Sequence, residues 1–329
     1  MVQAVAVLGR LAAALVAAAS AASVPAFDLQ GHRGARGLAP ENTMAAFQRA
    51  MAIGVTTLET DVAVTKDGVL VISHDRHLNP DLVRGPDGAW LAGKGPPIRT
   101  LTLAELQRYD VGRVNPASAY ARQFPEQEPA DGQRFPTLAD VLALGAGRSV
   151  RFNVETKLAP DSGAETPDPA TFARLVVDVV RNTGLTQRVT VQSFDWRTLV
   201  EVRRLAPEIA TACLTIETPD NDTVQRKTAT GSAWHAGLAL ADHGGSLPRL
   251  VKAAGCTTWS MFWRNLTPEL VAEARGLGLL VMTWTVNEPA DMARLVGWGV
   301  DGIITDYPDR LRRVLAEKGL PLPEGDGTQ

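Results

Sequence analysis

From residue 27 onward the chain alternates short apolar runs with amphipathic stretches, the pattern of repeated strand and helix units. Eight runs read as strands: Phe27 to Gly31, Thr57 to Val64, Val150 to Glu155, Val189 to Ser193, Ala210 to Leu214, Thr257 to Met261, Leu279 to Thr285 and Asp301 to Ile304. Between them, Phe172, Leu175, Val176, Val179 and Val180 recur at the helical period and stop at Gly184, a residue suited to a helix C-terminus. Thr267 followed by Pro268 has the chemistry of an N-cap and first turn. Eight such units predict an α/β fold, a (β/α)8 TIM barrel, in preference to an open doubly wound sheet. No GxGxxG follows the first strand, which removes the dinucleotide reading.

The alternation breaks after the second strand. Val69 to Ser73 forms another extended run behind the turn signal Lys66-Asp67-Gly68, so the strand is expected to continue into a hairpin arm. Residues 76–136 are then polar and rich in Gly and Pro, with one helix predicted over Thr102 to Arg108 from the Thr102/Glu105 capping box. A stretch of that length reads as an insertion over the barrel mouth.

With 329 residues and 45% hydrophobic content, the chain can bury the core of one large domain. Its 33 basic and 36 acidic residues are well mixed and leave a net charge of -3, which argues against nucleic acid as a partner. A small anionic ligand would have to be met by local charge. Residues 1–23 hold no acid and one base, Arg10, followed by the apolar run Leu11 to Ala22. That pattern predicts a signal peptide, too short for a bilayer span, and hence a periplasmic or extracellular chain with no stable membrane insertion after cleavage. The expected mature domain covers 24–320, and 321–329 reads as a flexible tail. Cys213 and Cys256 could pair in an exported protein or stay as buried thiols; the residues leave this open, along with the oligomeric state.

Active sites of such barrels lie at the C-terminal ends of the strands. Glu59 and Asp61 stand two apart on the second strand, hence on one face, and Glu155 and Lys157 repeat the arrangement at the end of the third barrel strand. Three carboxylates in one barrel mouth need a cation or salt bridges to Arg33, Arg151 or Lys157; an oxygen donor set favours one hard divalent ion, Ca²⁺ or Mg²⁺. His32 ends the first strand and His74 ends the hairpin arm. Two imidazoles at neighbouring strand ends can divide proton removal and proton delivery between them, which suits a phosphodiester. Arg33 and Lys157 would meet its phosphate charge. Phe194 and Trp284 wall the ligand pocket or belong to barrel packing, Glu41 and Asn42 could support the site, and Asn42 or Thr43 could cap the helix that follows. His77, in the polar insertion, is expected at the surface, and His235 and His243 in structural or peripheral roles.

Seven segments in order carry a family resemblance: Gly31-His32-Arg33-Gly34, Pro40-Glu41-Asn42-Thr43, Glu59-Thr60-Asp61, His74-Asp75, Glu155-Thr156-Lys157, Trp284-Thr285-Val286-Asn287 and Asp301-Gly302-Ile303-Ile304-Thr305-Asp306-Tyr307-Pro308. Together they resemble a glycerophosphodiester phosphodiesterase over about residues 27–312. The resemblance implies a TIM barrel with an insertion after strand two and a divalent metal held by Glu59, Asp61 and Glu155. It further implies acid-base catalysis by His32 and His74, and hydrolysis of a small glycerophosphodiester to glycerol 3-phosphate and an alcohol through a cyclic phosphate. Residues 78–85 (Leu-Asn-Pro-Asp-Leu-Val-Arg-Gly) stand where many members carry an Arg-Thr-Thr-Gly-like segment, which leaves the head group open. Two other readings fit parts of the pattern: a phospholipase C or D type hydrolase of intact lipids, and a non-catalytic barrel that binds a phosphate ligand.

Overall fold

A computed structural model of the chain describes residues 27–228 and 230–323. The expected leader at 1–23 and residues 324–329 of the expected tail lie outside the described residues.

Eight parallel strands close a barrel: β1 (Asp28–Gly31), β2 (Thr57–Val64), β4 (Arg151–Thr156), β5 (Val189–Ser193), β6 (Ala210–Thr215), β7 (Thr258–Phe262), β8 (Leu280–Trp284) and β9 (Gly302–Thr305). Closure is made at β1, which pairs with β2 on one side and with β9 on the other. The remaining strand, β3 (Leu70–Ile72), returns antiparallel along the end of β2, with Val62 opposite Ile72 and Val64 opposite Leu70. It is the hairpin arm expected from the Lys66-Asp67-Gly68 turn.

Each barrel strand leads to a helix on the outside: α1 (Met44–Ile53), α3 (Leu138–Ala143), α4 (Pro169–Asn182), α5 (Trp196–Leu205), α6 (Leu247–Ala254), α7 (Pro268–Gly276), α8 (Pro289–Trp298) and α9 (Pro308–Glu317). Their apolar faces and the outward-pointing strand residues share one core, in which Phe47, Phe152, Phe172, Trp196 and Trp259 are fully buried. Local chemistry sets the ends. Thr267 caps α7 by accepting from the Leu270 N–H, with Pro268 in the first turn. Gly54 stops α1 at φ 88°, the left-handed conformation that glycine adopts without a Cβ clash.

The segment between β3 and α3 builds a second, smaller core from Leu78, Val83, Ile98, Leu106, Val111 and Phe135, packed on Ala63 and Val71. The Thr102/Glu105 capping box opens a helix there as expected, but the helix, α2, is only Leu103–Leu106. Asp110 is drawn into backbone pairing with Arg84, and the Gln107 side chain donates to the Phe135 carbonyl, so the chain leaves helical geometry early. Cys213 on β6 and Cys256, just before β7, form a disulfide with Cα atoms 5.9 Å apart. Among the described residues no helix is long and apolar enough to cross a membrane.

Candidate active site

The loop leaving β1 sets the site. His32 donates its backbone N–H to the Thr305 carbonyl at the end of β9, so its side chain sits over the barrel mouth. Arg33 follows at φ 51° and Gly34 at φ 88°, a turn that aims the Arg33 N–H at Glu59 Oε2, 2.9 Å away. Thr43, not Asn42, caps α1, its hydroxyl accepting from the Ala46 N–H. Asn42 is thereby free to donate to Asp61 Oδ2 at 3.0 Å, while its carbonyl accepts from the Thr60 hydroxyl. It supports the site.

Glu59, Asp61 and Glu155 are buried, and one oxygen from each lies within 4.8 Å of the others. Register explains the convergence: β2 and β4 are parallel neighbours with Asp61 opposite Glu155, and Glu59 is two residues back on the same face. Gln192 on β5, beside Glu155, donates to Glu59 Oε1 at 3.0 Å. Two cations offset part of the charge. Lys157 Nζ donates to Glu155 at 2.6 Å and stands 3.6 Å from Asp61, and Arg33 pairs with Glu41 at 2.7 Å and Asp61 at 3.2 Å. Arg151, the other cation considered, faces Asp28 at the opposite end of the barrel.

Burial and the neighbouring carboxylates Asp61 and Glu155 hold the Glu59 pKa well above the usual carboxylate range. Burial also raises Glu155, although Lys157 opposes it. Asp61 goes the other way: burial resists ionisation, but Arg33 and Lys157 prevail and hold its carboxyl below its ordinary value. That rise records a mutual repulsion of carboxylates that Arg33 and Lys157 offset only in part. Three buried oxygen donors brought this close fit a hard divalent cation.

Both histidines present the same face. His32 Nδ1 lies 2.6 Å from Asp306 Oδ1, which turns Nε2 toward Glu59, 4.0 Å from Oε2. His74 Nδ1 lies 2.9 Å from Asp75 Oδ1, and Asp75 also accepts from Asn79. Burial and the cation Arg36 bring the His32 pKa down to about 4; burial with Arg33 and Lys157 brings His74 down to about 3. These shifts favour the neutral form of each imidazole in the ligand-free site.

His32, His74, Glu59, Glu155, Arg33 and Lys157 line a cleft of about 160 Å³ at the C-terminal ends of the strands, walled on one side by Phe194 and Trp284. The two rings meet edge to face at 5.4 Å, and Trp234 extends the aromatic wall beyond Phe194. His77 is half-buried rather than exposed, because Glu165 reaches it at 3.3 Å. His235 is fully buried, away from the cleft. Sequence reasoning did not single out Arg36, Gln192 or Tyr120, and it quoted Asn287 and Asp306 only within family-like segments, with no role of their own in the site. Arg36 and Gln192 line the cleft directly. The only local signal was the position of Asp306, just past the end of β9.

Residues 32–310 match the model of the glycerophosphoryl diester phosphodiesterase family. A glycerophosphodiester phosphodiesterase of Caldanaerobacter subterraneus is 29% identical over 88% of this chain and 97% of its own length. One from Bacillus subtilis is 30% identical over 86% of this chain and 84% of its own. Among solved structures, a protein of Silicibacter pomeroyi, provisionally named a glycerophosphoryl diester phosphodiesterase, superposes with a TM-score of 0.80 at 38% identity, covering 91% of this chain and 96% of that one. An Oleispira antarctica phosphodiesterase, solved with the product sn-glycerol-3-phosphate, has the same fold at a TM-score of 0.62 and 22% identity, covering 87% of this chain and 96% of its own.

Proposed function

The chain belongs to the glycerophosphoryl diester phosphodiesterase family, and we propose that it hydrolyses glycerophosphodiesters to glycerol 3-phosphate and an alcohol, using His32 and His74 beside one divalent cation, Ca²⁺ or Mg²⁺. The observation that carries the catalytic part is the pairing of two carboxylate-anchored imidazoles with a buried cluster of three carboxylates in one cleft.

Glu59, Asp61 and Glu155 would hold the cation, which when bound offsets their charge and polarises the phosphoryl oxygens. His32 Nε2, neutral and bare toward the cluster, accepts the proton of the glycerol hydroxyl next to the phosphate, and that oxygen attacks phosphorus to give a cyclic phosphate. His74, which takes up a proton from solvent as the anionic diester binds and counters the burial and the Arg33 and Lys157 field that depress this imidazole, passes that proton to the departing alkoxide. Water then opens the ring with the two roles exchanged. Lys157 adds a point charge beside the phosphate and Arg33 braces Asp61, while Phe194 and Trp284 give the carbon face of glycerol an apolar wall.

Release of glycerol 3-phosphate from glycerophosphocholine tests this reading. Chelation should abolish the activity, and Ca²⁺ or Mg²⁺ added singly should restore it; turnover that survives complete chelation would sink the metal assignment. His32→Ala and His74→Ala should each lower kcat by about 10²–10⁴-fold, and a variant at the wild-type rate would remove that histidine from the chemistry. We further propose that the protein works outside the cytoplasm. The leader-like pattern of residues 1–23 and the Cys213–Cys256 disulfide support this, since such bonds persist in oxidising compartments. Full-length protein found only in the cytoplasmic fraction of its host would contradict it.

A further inference from the structure

Asp306 is almost completely buried, yet its carboxylate gathers more nitrogen contacts than any of Glu59, Asp61 and Glu155. Arg36 grips it with two nitrogens, Nε to Oδ1 at 2.8 Å and Nη2 to Oδ2 at 3.0 Å. Asn287, after β8, donates to Oδ2 at 2.7 Å, and its carbonyl in turn accepts the Asp306 N–H at 3.0 Å. The fourth nitrogen on the carboxylate is His32 Nδ1 at 2.6 Å. Arg36 is itself fixed: its Nη1 donates to the Tyr120 hydroxyl, its guanidinium lies 4.7 Å over the Phe124 ring, and its carbonyl accepts from Gln127. Tyr120 is anchored in turn on Glu41, the partner of Arg33.

We propose that Asp306 is the positioning residue of the reaction, holding His32 as the Nδ1–H tautomer with Nε2 bare toward the substrate, and that Arg36 and Asn287 keep it ionised and in place. The reasoning is one of donors and acceptors. A carboxylate already receiving three N–H groups can offer His32 only lone pairs, so Nδ1 must carry the hydrogen. The lone pair is then on Nε2, the nitrogen that faces Glu59 and the cleft. Arg36 holds the Asp306 carboxyl far below its ordinary value against the opposing effect of burial, which keeps it an acceptor. His74 has a looser version of the same device, because Asp75 is about a third exposed and receives only His74 and Asn79. The tight clamp falls on one histidine. It fixes which imidazole is ready to accept a proton before substrate arrives.

The kinetic consequence rests on the proposed phosphodiesterase activity, whereas the tautomer does not. The full chain, labelled with ¹⁵N at its five histidines, is read by two-dimensional NMR at neutral pH in chelator, with the His32 signals assigned by their loss in His32→Gln. The expected spectrum shows a protonated Nδ1 and a bare Nε2 for His32, and a proton on Nε2 instead would overturn the proposal. Asp306→Asn, which keeps size and one acceptor oxygen, should move His32 toward the Nε2–H form. It should also lower kcat by about 10³–10⁴-fold with KM within about threefold. Wild-type kcat in Asp306→Asn would overturn the proposal. If that variant does not fold, the wild-type spectrum decides alone. A wild-type chain that hydrolyses no glycerophosphodiester would refute the functional reading, and the spectrum would still report on the clamp.

Discussion

His235 shows what burial does to a single side chain here. Its ring stacks on Trp196 with centroids 4.3 Å apart, and neither nitrogen has a hydrogen-bond partner among the described residues. Burial lowers its pKa to about 4, with Asp222 pulling weakly the other way. An unfolded histidine titrates near 6.5, so between these values the unfolded chain binds the proton more readily. The stability held at neutral pH is therefore fully present above about pH 6.5 and drains away as the pH falls toward 4, by roughly 2 to 3 kcal/mol from this one residue. His235→Phe keeps the stack and removes the titration. Urea melts at pH 7.5 and 4.5 should show a smaller loss in the variant than in the wild type, and equal losses would refute the assignment.

At the scale of elements, the loop from β1 to α1 does more for the site than either element it joins. It carries His32, Arg33, Glu41 and Asn42, with the Asn42 N–H donating back to the Arg33 carbonyl, and its geometry depends on Gly34. A Cβ at Gly34 would stand 2.6 Å from the Ala46 carbonyl carbon and 2.8 Å from its oxygen, at a φ of 88° that L-residues rarely adopt. Gly68, in the β2–β3 turn, has a similar φ of 81° but nothing within 4 Å of the added atom. Gly68→Ala should therefore lose only the conformational term, about 1 kcal/mol, while Gly34→Ala should lose several kcal/mol and displace the Arg33 N–H from Glu59. Thermal melts of the two variants measure the difference, and the turnover of Gly34→Ala should fall with its Tm. Equal Tm shifts would show that the loop yields without strain.

For the whole molecule, the barrel is closed by hydrogen bonds and braced by one covalent link. The Cys213–Cys256 bond spans 43 residues and ties β6 to the approach of β7 on the side of the barrel away from the β1 closure. A loop of that length stabilises the fold by roughly 2–4 kcal/mol, largely by restricting the unfolded chain. The double variant Cys213→Ser/Cys256→Ser should melt several degrees lower than the oxidised protein yet keep its turnover, since neither cysteine lines the cleft. Loss of kcat at a temperature where the variant remains folded would mean that the bond shapes the site. The segment carrying Tyr120, Phe124 and Gln127 grips Arg36, which in turn holds Asp306, so the insertion is tied through Arg36 to the partner of His32.

The alternation of apolar periods determined the eight barrel strands to within a residue or two, because strand and helix periodicity is written in neighbouring residues. The same locality gave the Thr102 and Thr267 caps, placed His32, His74 and Glu155 at strand ends, and put Glu59 and Asp61 on one face of β2. Tertiary structure alone decided the rest. Asp306 meets a histidine 274 positions away, Arg36 meets Tyr120 84 positions away, and Gln192 meets Glu59 across 133. Nothing local distinguishes such a residue from an ordinary turn aspartate or surface arginine, because its partner is fixed only by how the strands register as the barrel closes. Thr43 over Asn42 as the cap of α1, and the joining of Cys213 to Cys256, were settled in the same way. In each case the outcome depends on a partner distant in sequence, which only the closed barrel brings within reach.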